Sequence, residues 1–379
     1  MLSTTRTPNA FSVKNAVVIM VAFRPGPPPL PSQSEAIPVL TDWAEKQGRR
    51  LLYASPEAFE ERDGALWVTG TEPETASDTW RSVESRVALV YNRFPRSRDP
   101  EAFAQVAELC QKHNVPFGNP PSLQGLVWDK AVTGRQLLKH ALPVPRWVEA
   151  VDAFLPALKE WGRAYLKPTT GAFGDGITVW CWKDGRVFVE EGPGQTREMS
   201  EGEALLEWRD LCEQPHLLQQ AIEPPFPGVR GLSIRSLLQR TEEGAWLTLP
   251  RVARVSSADP VANAARGATP LPCEDVFAEQ WEMEAVRELL ERLQTLETLV
   301  AQSLMEALPP AEAEQVVELG LDFVVDPERG LWVLEANGFP QGRLERLLLL
   351  DRQRFESHFA QGHSRPLQRL LSLTAEQGA

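Results

Sequence analysis

Apolar runs of two kinds divide the chain, some unbroken and some alternating with polar residues. Residues 16–23, Ala-Val-Val-Ile-Met-Val-Ala-Phe, form an unbroken and partly β-branched run, the mark of a strand buried on both faces in a parallel sheet. Residues 24–34 follow with five prolines, which neither a helix interior nor a central strand accommodates. A surface loop, extended or polyproline-like, is expected there, with a ligand for a proline-reading partner as its alternative role. Helical spacing over 36–47, short strand patterns at 51–54 and 87–91, and a helical pattern at 100–113 alternate strand with helix. That order predicts an open parallel α/β domain over residues 15–122, after a polar, aperiodic tail at 1–14.

Residues 123–215 read as a small α+β lid. A helix is expected at 129–140, a strand at 163–168, a glycine-rich loop, and an alternating, antiparallel strand at 177–182. Residues 216–379 mix strands at 217–222, 233–239 and 246–254 with a charged helical pattern at 274–308 and a leucine-spaced helical tail at 344–373. The charges of 274–297 alternate in sign at helical spacing, which predicts a solvated helix. Two apolar strands, 319–326 and 331–337, flank the turn Pro-Glu-Arg-Gly. No internal repeat is present.

The chemistry sits in the apolar stretches. Asp322, Glu335 and Asn337 interrupt the paired strands, and hard oxygen ligands among hydrophobic neighbours suit Mg²⁺ beside nucleotide phosphates. Three polar residues facing solvent from a hairpin are the plain alternative. Lys167 precedes Pro-Thr-Thr-Gly-Ala-Phe-Gly-Asp-Gly-Ile. There Gly171, Gly174 and Gly176, with Thr169 and Thr170, can turn backbone N–H groups toward one anion. A turn that needs glycine only for positive φ is equally open at this point. The loop lacks the G-x-x-x-x-G-K-[ST] order of a P-loop.

Composition narrows the partners. A net charge of −13 argues against a general polyanion binder, so no nucleic-acid partner is expected. The 12 tryptophans are scattered and do not interleave with basic runs, which assigns them to packing. The apolar run at 16–23 is too short to span a membrane and no cleavage site follows it, so neither a membrane partner nor a targeting signal is expected. Cys110, Cys181, Cys212 and Cys273 show no CxxC spacing, which fits a reducing cytoplasm and no zinc site. His358 and His363 read as solvated surface residues. No Ser-His-Asp or Cys-His arrangement emerges.

The ordered set Lys130, Lys167, glycine loop, Leu-Leu-Gln-Gln-Ala-Ile-Glu at 217–223, Arg235, Arg251, Asn263, Asp322, Glu335 and Asn337 resembles the ATP-grasp superfamily over residues 87–343. It looks most like the YheC/YheD type, named for endospore coat-associated proteins. The residues that carry this are Val-Tyr-Asn-Arg-Phe-Pro at 90–95, Phe-Gly-Asn-Pro at 117–120, Trp-Asp-Lys at 128–130 and Glu-Leu-Gly-Leu-Asp at 318–322. RimK-type glutamate ligases and glutathione synthetase are more distantly similar. The resemblance implies an ATP-grasp fold of three parts: the N-terminal α/β domain, the lid, and a C-terminal mixed-sheet domain.

It also implies roles. Lys130 and Lys167 would contact the α and β phosphates, with Thr170, Gly171, Gly174 and Gly176 around them. Gln219 and Gln220, with backbone of Ala221 and Ile222, would read the adenine edge, and Glu223 the ribose. Arg235 and Arg251 would stabilise the transferring phosphoryl group, Asn263 would serve the substrate-side loop, and Asp322, Glu335 and Asn337 would hold Mg²⁺, with Mn²⁺ as a substitute. The implied reaction is ADP-forming ligation of a small-molecule or peptide carboxylate to an amine through an acylphosphate. An ATP-binding structural or assembly protein of the spore-coat type, without turnover, is the alternative; a kinase that stops at phosphorylation is the third. Family members commonly carry Asp two residues before the first of these arginines and a Gly-Gly pair in the substrate-side loop. This chain has Ser233 and Gly267-Ala268. The sequence leaves the oligomeric state open, a homodimer included.

Overall fold

The computed structural model describes residues 15–24, 30–31, 36–73, 79–95, 98–171, 174–340 and 344–376. The expected tail at 1–14 and most of the proline loop lie outside the described residues. Of that loop, Phe23–Arg24 and Leu30–Pro31 form a two-residue antiparallel ladder. The chain divides into two compact units, Met1–Pro121 with His363–Ala379, and Ser122–Gly362.

The first unit is built on one six-stranded sheet. Ala16–Val21 lies inside it, buried at every residue, as an unbroken apolar run requires. Leu51–Ala54 and Trp80–Arg93 flank it in parallel, and Phe117–Gly118 adds in parallel beyond. Helix Pro100–Lys112 buries Phe103, Val106 and Cys110 against Val18, Met20 and Val90 of these strands. The sheet is nevertheless mixed. Phe59–Arg62 and Ala65–Pro73 are antiparallel, and Ala65–Pro73 also pairs with the first half of Trp80–Arg93. That half reads Trp-Arg-Ser-Val-Glu-Ser-Arg and is largely exposed, so it carries too little apolar signal to be recognised as strand.

The unit boundary falls inside the C-terminal helix Arg352–Glu376, so its last part belongs with the first unit. His358 is exposed, but His363 is half-buried. Burial, and then the nearby charge of Arg93, pull its imidazole down to about 4. It is not the solvated histidine expected.

The second unit holds two six-stranded sheets. The first is antiparallel, in the order Gln195–Met199, Arg186–Gly192, Thr178–Lys183, Arg163–Pro168, His216–Gln220, Trp147–Val148. Helices Phe154–Trp161 and Glu201–Leu211 close its apolar side, where Phe154 stacks on Trp208 at 5.0 Å between ring centroids. The second runs Thr269–Pro272, Val252–Ser256, Gly231–Arg240, Glu318–Val325, Leu331–Asn337, with Trp246–Thr248 on the outer half of Gly231–Arg240. Helix Met283–Glu306 packs Leu289, Leu293 and Val300 onto Ile234, Leu321 and Phe323.

Three expectations here need correction. The strand pattern at 246–254 is two strands, separated at Pro250, which has no N–H to give a ladder. The helical pattern at 274–308 is two helices, Cys273–Ala278 and Met283–Glu306, broken where Trp281 packs against Phe226 and Phe277. The tail splits into Leu344–Leu350 and Arg352–Glu376. Among the described residues no helix is long and apolar enough to cross a membrane. The four cysteines are free.

Candidate active site

Within Ser122–Gly362, one face of each sheet borders a cavity, and strand alternation decides which side chains enter it. On Gly231–Arg240, Ile234 and Leu238 face the helical core, so Ser233 and Arg235 face away from it. Asp322 pairs directly with Arg235 on one neighbour and with Glu335 on the other. Strict alternation along Leu331–Asn337 would put Glu335 and Asn337 in phase with the core residues Leu331 and Val333. A bulge prevents it: Asp322 pairs with Glu335 but Phe323 with Val333, so Leu334 is an extra residue. Leu334 and Glu335 both line the cavity, and Ala336 returns to the core.

Asp322 is buried and Glu335 half-buried, and the two carboxylates are electrostatically unequal. Burial alone would push Asp322 up, but the guanidinium groups of Arg235 and Arg254 outweigh it and hold this carboxyl well below its usual range. Arg235 grips both Asp322 oxygens at 2.6 Å, and Arg254 Nη1 stands 3.3 Å from Oδ1. Burial, and then the neighbouring Asp322, push Glu335 up. Asn337 Nδ2 donates to Glu335 Oε1 at 3.3 Å, completing an oxygen-rich cluster. Two abutting carboxylates with an adjacent amide fit a hard divalent cation by donor type, because such an ion offsets both the burial and the repulsion that displace Glu335.

The cations come from two directions. Asp129 caps helix Lys130–Lys139 through the N–H groups of Ala131 and Val132, which fixes Lys130 at the first helical position. Its Nζ reaches the Pro168 and Gly171 carbonyls at 3.3 and 3.4 Å. Burial lowers the Lys130 pKa against the pull of Glu335 and Asp129. Lys167 is buried on the strand Arg163–Pro168 and donates to Gln219 Oε1 at 2.6 Å. Burial pulls it down to about 8, with Glu335 opposing and Lys130 adding to the shift.

After Lys167 the chain forms the glycine loop, in which residues 172–173 lie outside the described residues. Gly171, Gly174 and Gly176 have φ of 117°, 79° and 70°, so each occupies backbone space that disfavours a side chain. Gly171 and Gly174 line the cavity. Thr170 and Gly176 do not; Thr170 is exposed and forms a bridge with Asp129.

The strand end His216–Gln220 brings Gln219 and Gln220 to the cavity, followed by Ile222. Gln220 Oε1 accepts from Arg146 Nε at 3.1 Å. The Ala221 N–H goes to the Arg163 carbonyl at 3.1 Å, so the backbone position lining the cavity is Ile222. Glu223 is exposed and faces Arg163, which donates to both its oxygens at 2.9 Å, instead of the cavity. Asn263 lines the cavity, and its Oδ1 accepts from the Ala265 N–H at 2.9 Å to cap the turn that ends at Gly267, φ 89°. Ser233 donates to the Ala262 carbonyl at 3.1 Å, tying that loop to the sheet.

Arg251 is not brought to this cavity. It lies three residues from Arg254, hence on the other side of the sheet, and donates to both oxygens of Glu297 at 2.6 and 2.8 Å. Glu297 is therefore buried, an exception to the solvated helix expected; it also accepts from Ser236 and Thr248. Arg254, missed in the sequence, stands in the cavity opposite Ser233. Period-two alternation counted from Ser233 across the antiparallel pair is the signal that points to it. Tyr165 and Arg230 line the cavity as well, and nothing in the sequence singled them out.

A family profile described as YheC/D-like ATP-grasp matches residues 114–358. The chain belongs to the YheC/D-like ATP-grasp family. No curated protein matches the sequence significantly. Among solved structures, a D-alanine–D-alanine ligase from Bacillus anthracis in complex with ATP is 14% identical, TM-score 0.55, over 96% of this chain and 100% of that one. A D-alanyl-alanine synthetase A from Vibrio cholerae is 12% identical, TM-score 0.54, over 94% and 99%. A RiPP-associated ATP-grasp ligase from Chryseobacterium gregarium, in complex with ADP and a leader and core peptide, is 13% identical, TM-score 0.51, over 92% and 96%. These likenesses are of fold, and the fold of this YheC/D-like chain is ATP-grasp.

Proposed function

We propose that this YheC/D-like protein is an ATP-dependent carboxylate–amine ligase that forms an amide or peptide bond through an acylphosphate. The observation that carries the reading is the convergence on one cavity of Lys130, Lys167 and Arg254 with the buried Asp322 and the half-buried Glu335. Lys130 and Lys167 meet the α and β phosphates as point charges, one from a helix start and one from a strand. Gln219, Gln220 and Ile222 border the base. Arg254 takes the place given in sequence to Arg251 and offers forked donors to the transferring phosphoryl group, while Arg235, its fork held by Asp322, adds positive charge beside it. Asp322, Glu335 and Asn337 would hold Mg²⁺, or Mn²⁺ in its place, which would neutralise charge on the phosphoryl oxygens.

The reaction needs no side-chain nucleophile. The substrate carboxylate attacks the γ-phosphorus and the bond to the bridging oxygen breaks, releasing ADP. The amine nitrogen then attacks the acyl carbon, expels phosphate and loses a proton. The protein's part is to bind, orient and exclude water. Substrates are small-molecule or peptide acids and amines, handled in the cytoplasm.

The test is acid-dependent ADP release with Mg²⁺, with hydroxylamine present to trap an acylphosphate as hydroxamate. A panel of amino acids and short peptides should contain at least one acid that gives both signals. If none does while ATP still binds, the ligase reading fails and an ATP-binding assembly protein takes its place.

A further inference from the structure

The loop 259–267 bordering the cavity is folded in advance by its own polar groups. Asp259 is 2% exposed; its N–H donates to Ser256 Oγ at 2.9 Å and its Oδ1 accepts from the Val261 N–H at 2.8 Å. Ser233 holds the Ala262 carbonyl, and the Tyr165 hydroxyl donates to the Pro260 carbonyl at 2.9 Å. From this fixed loop Arg266 reaches across to the glycine loop. Its Nε donates to Asp259 Oδ2 at 2.8 Å, and its Nη1 to the carbonyls of Ile177 and Gly174 at 3.0 and 3.3 Å.

The approach is tight at Gly174, and the backbone there favours glycine. A Cβ on Gly174 would lie 3.3 Å from Val261 and 3.4 Å from Arg266 Cδ, at a φ of +79° that already disfavours a side chain. In a trans peptide the N–H points opposite to the carbonyl, so a guanidinium that holds the Gly174 oxygen also fixes the Asp175 N–H on the side away from Arg266. Gly174, Asp175 and Ile177 all border the cavity.

We propose that Arg266 is a positioning residue for the nucleotide: it clamps the Gly174–Ile177 turn to the Asp259 loop, and so holds the Asp175 N–H in place for phosphate. The nucleotide part rests on the functional reading above. The clamp part rests on geometry alone. Lysine can keep the charge but, as a single ammonium, cannot reproduce the planar fork that serves Asp259 and two carbonyls together.

The experiment compares the full chain with Arg266→Ala and Arg266→Lys by hydrogen exchange without nucleotide, and by the dissociation rate of Mg-ATP. Loss of a charge-assisted contact predicts about tenfold faster exchange across the Gly174–Ile177 turn and about tenfold faster ATP release in Arg266→Ala, with Arg266→Lys in between. Exchange in the strand Glu318–Val325 should stay at the parental level. Unchanged exchange in the turn overturns the clamp, and so does a rise of equal size in every strand of the unit, which is what a merely structural ion pair would give. If Arg266→Ala does not fold, Arg266→Lys alone decides on the same two readings. A parent that binds no nucleotide sinks the functional reading, and the exchange result still decides whether Arg266 holds the turn.

Discussion

Arg254 and Arg251 stand three residues apart and serve opposite sides of one sheet: Arg254 reaches 3.3 Å from Asp322, whereas Arg251 grips Glu297 at 2.6 and 2.8 Å. Their replacements should therefore fail differently. Arg254→Ala should lower ATP-dependent turnover by about 10²–10³ while the fold persists, because a donor to the developing phosphoryl charge is lost. Arg251→Ala strands a buried carboxylate and should cost about 3–5 kcal/mol of stability, with the folded fraction turning over normally. Melting curves beside steady-state rates separate the two; the reverse pattern would return Arg251 to the site.

The difference between these arginines shows where sequence reading runs out. Asp322 and Glu335 are legible because a charge inside an apolar strand is costly unless something holds it. Lys167 is legible because it ends a strand at a run of glycines. Which face an arginine takes depends on where its strand begins, and the break at Pro250 hides that. Glu223 is adjacent to the cavity in sequence, yet it lies on an exposed edge where Arg163 captures it. The hairpin half at 80–86 has a solvated face and no apolar period, so the mixed sheet of the first unit leaves no mark in the pattern.

Glu335 should oppose stability in favour of function. Burial and Asp322 raise its pKa, so the folded state prefers the protonated acid. The stability this confers is present below the ordinary carboxylate range and is lost as pH rises through the raised value. At pH 7 with metal chelated, Glu335→Gln should melt higher than the parent, and its ATP-dependent turnover should collapse. A variant that melts lower at pH 7, or that keeps parental turnover, would contradict the assignment.

Lys167 makes ATP affinity depend on pH. Its pKa is pulled down to about 8 by burial, so free protein loses this charge as pH rises through about 8, well before an ordinary lysine. Deprotonation relieves the burial penalty, so the contribution to stability is present above the unfolded value and lost as pH falls through about 8. ATP affinity should run the other way and weaken between pH 7 and 9. Lys167→Met should abolish that slope, bind ATP roughly ten- to a hundredfold more weakly, and melt higher at pH 7. Calorimetric titration across this range is the measurement, and a flat parental profile would remove Lys167 from the phosphate contact.

Leu334 owes its place to the bulge that also turns Glu335 out of the core. It adds an apolar wall to the cavity without pairing in the ladder, and it is only half-buried, so the fold depends on it little. If nucleotide fills this cavity, the leucine side chain is covered on binding, and truncating it removes part of the ~1.5–3 kcal/mol that full burial of such a side chain provides. Leu334→Ala should then raise the KM for ATP about tenfold, leave kcat near the parental value and shift the melting temperature by no more than a few degrees. A fall in kcat with KM unchanged would mean that the bulge acts through Glu335 and the metal. Parental values of both would mean that the nucleotide does not reach this wall, and the placement of the base beside Gln219, Gln220 and Ile222 would have to be redrawn.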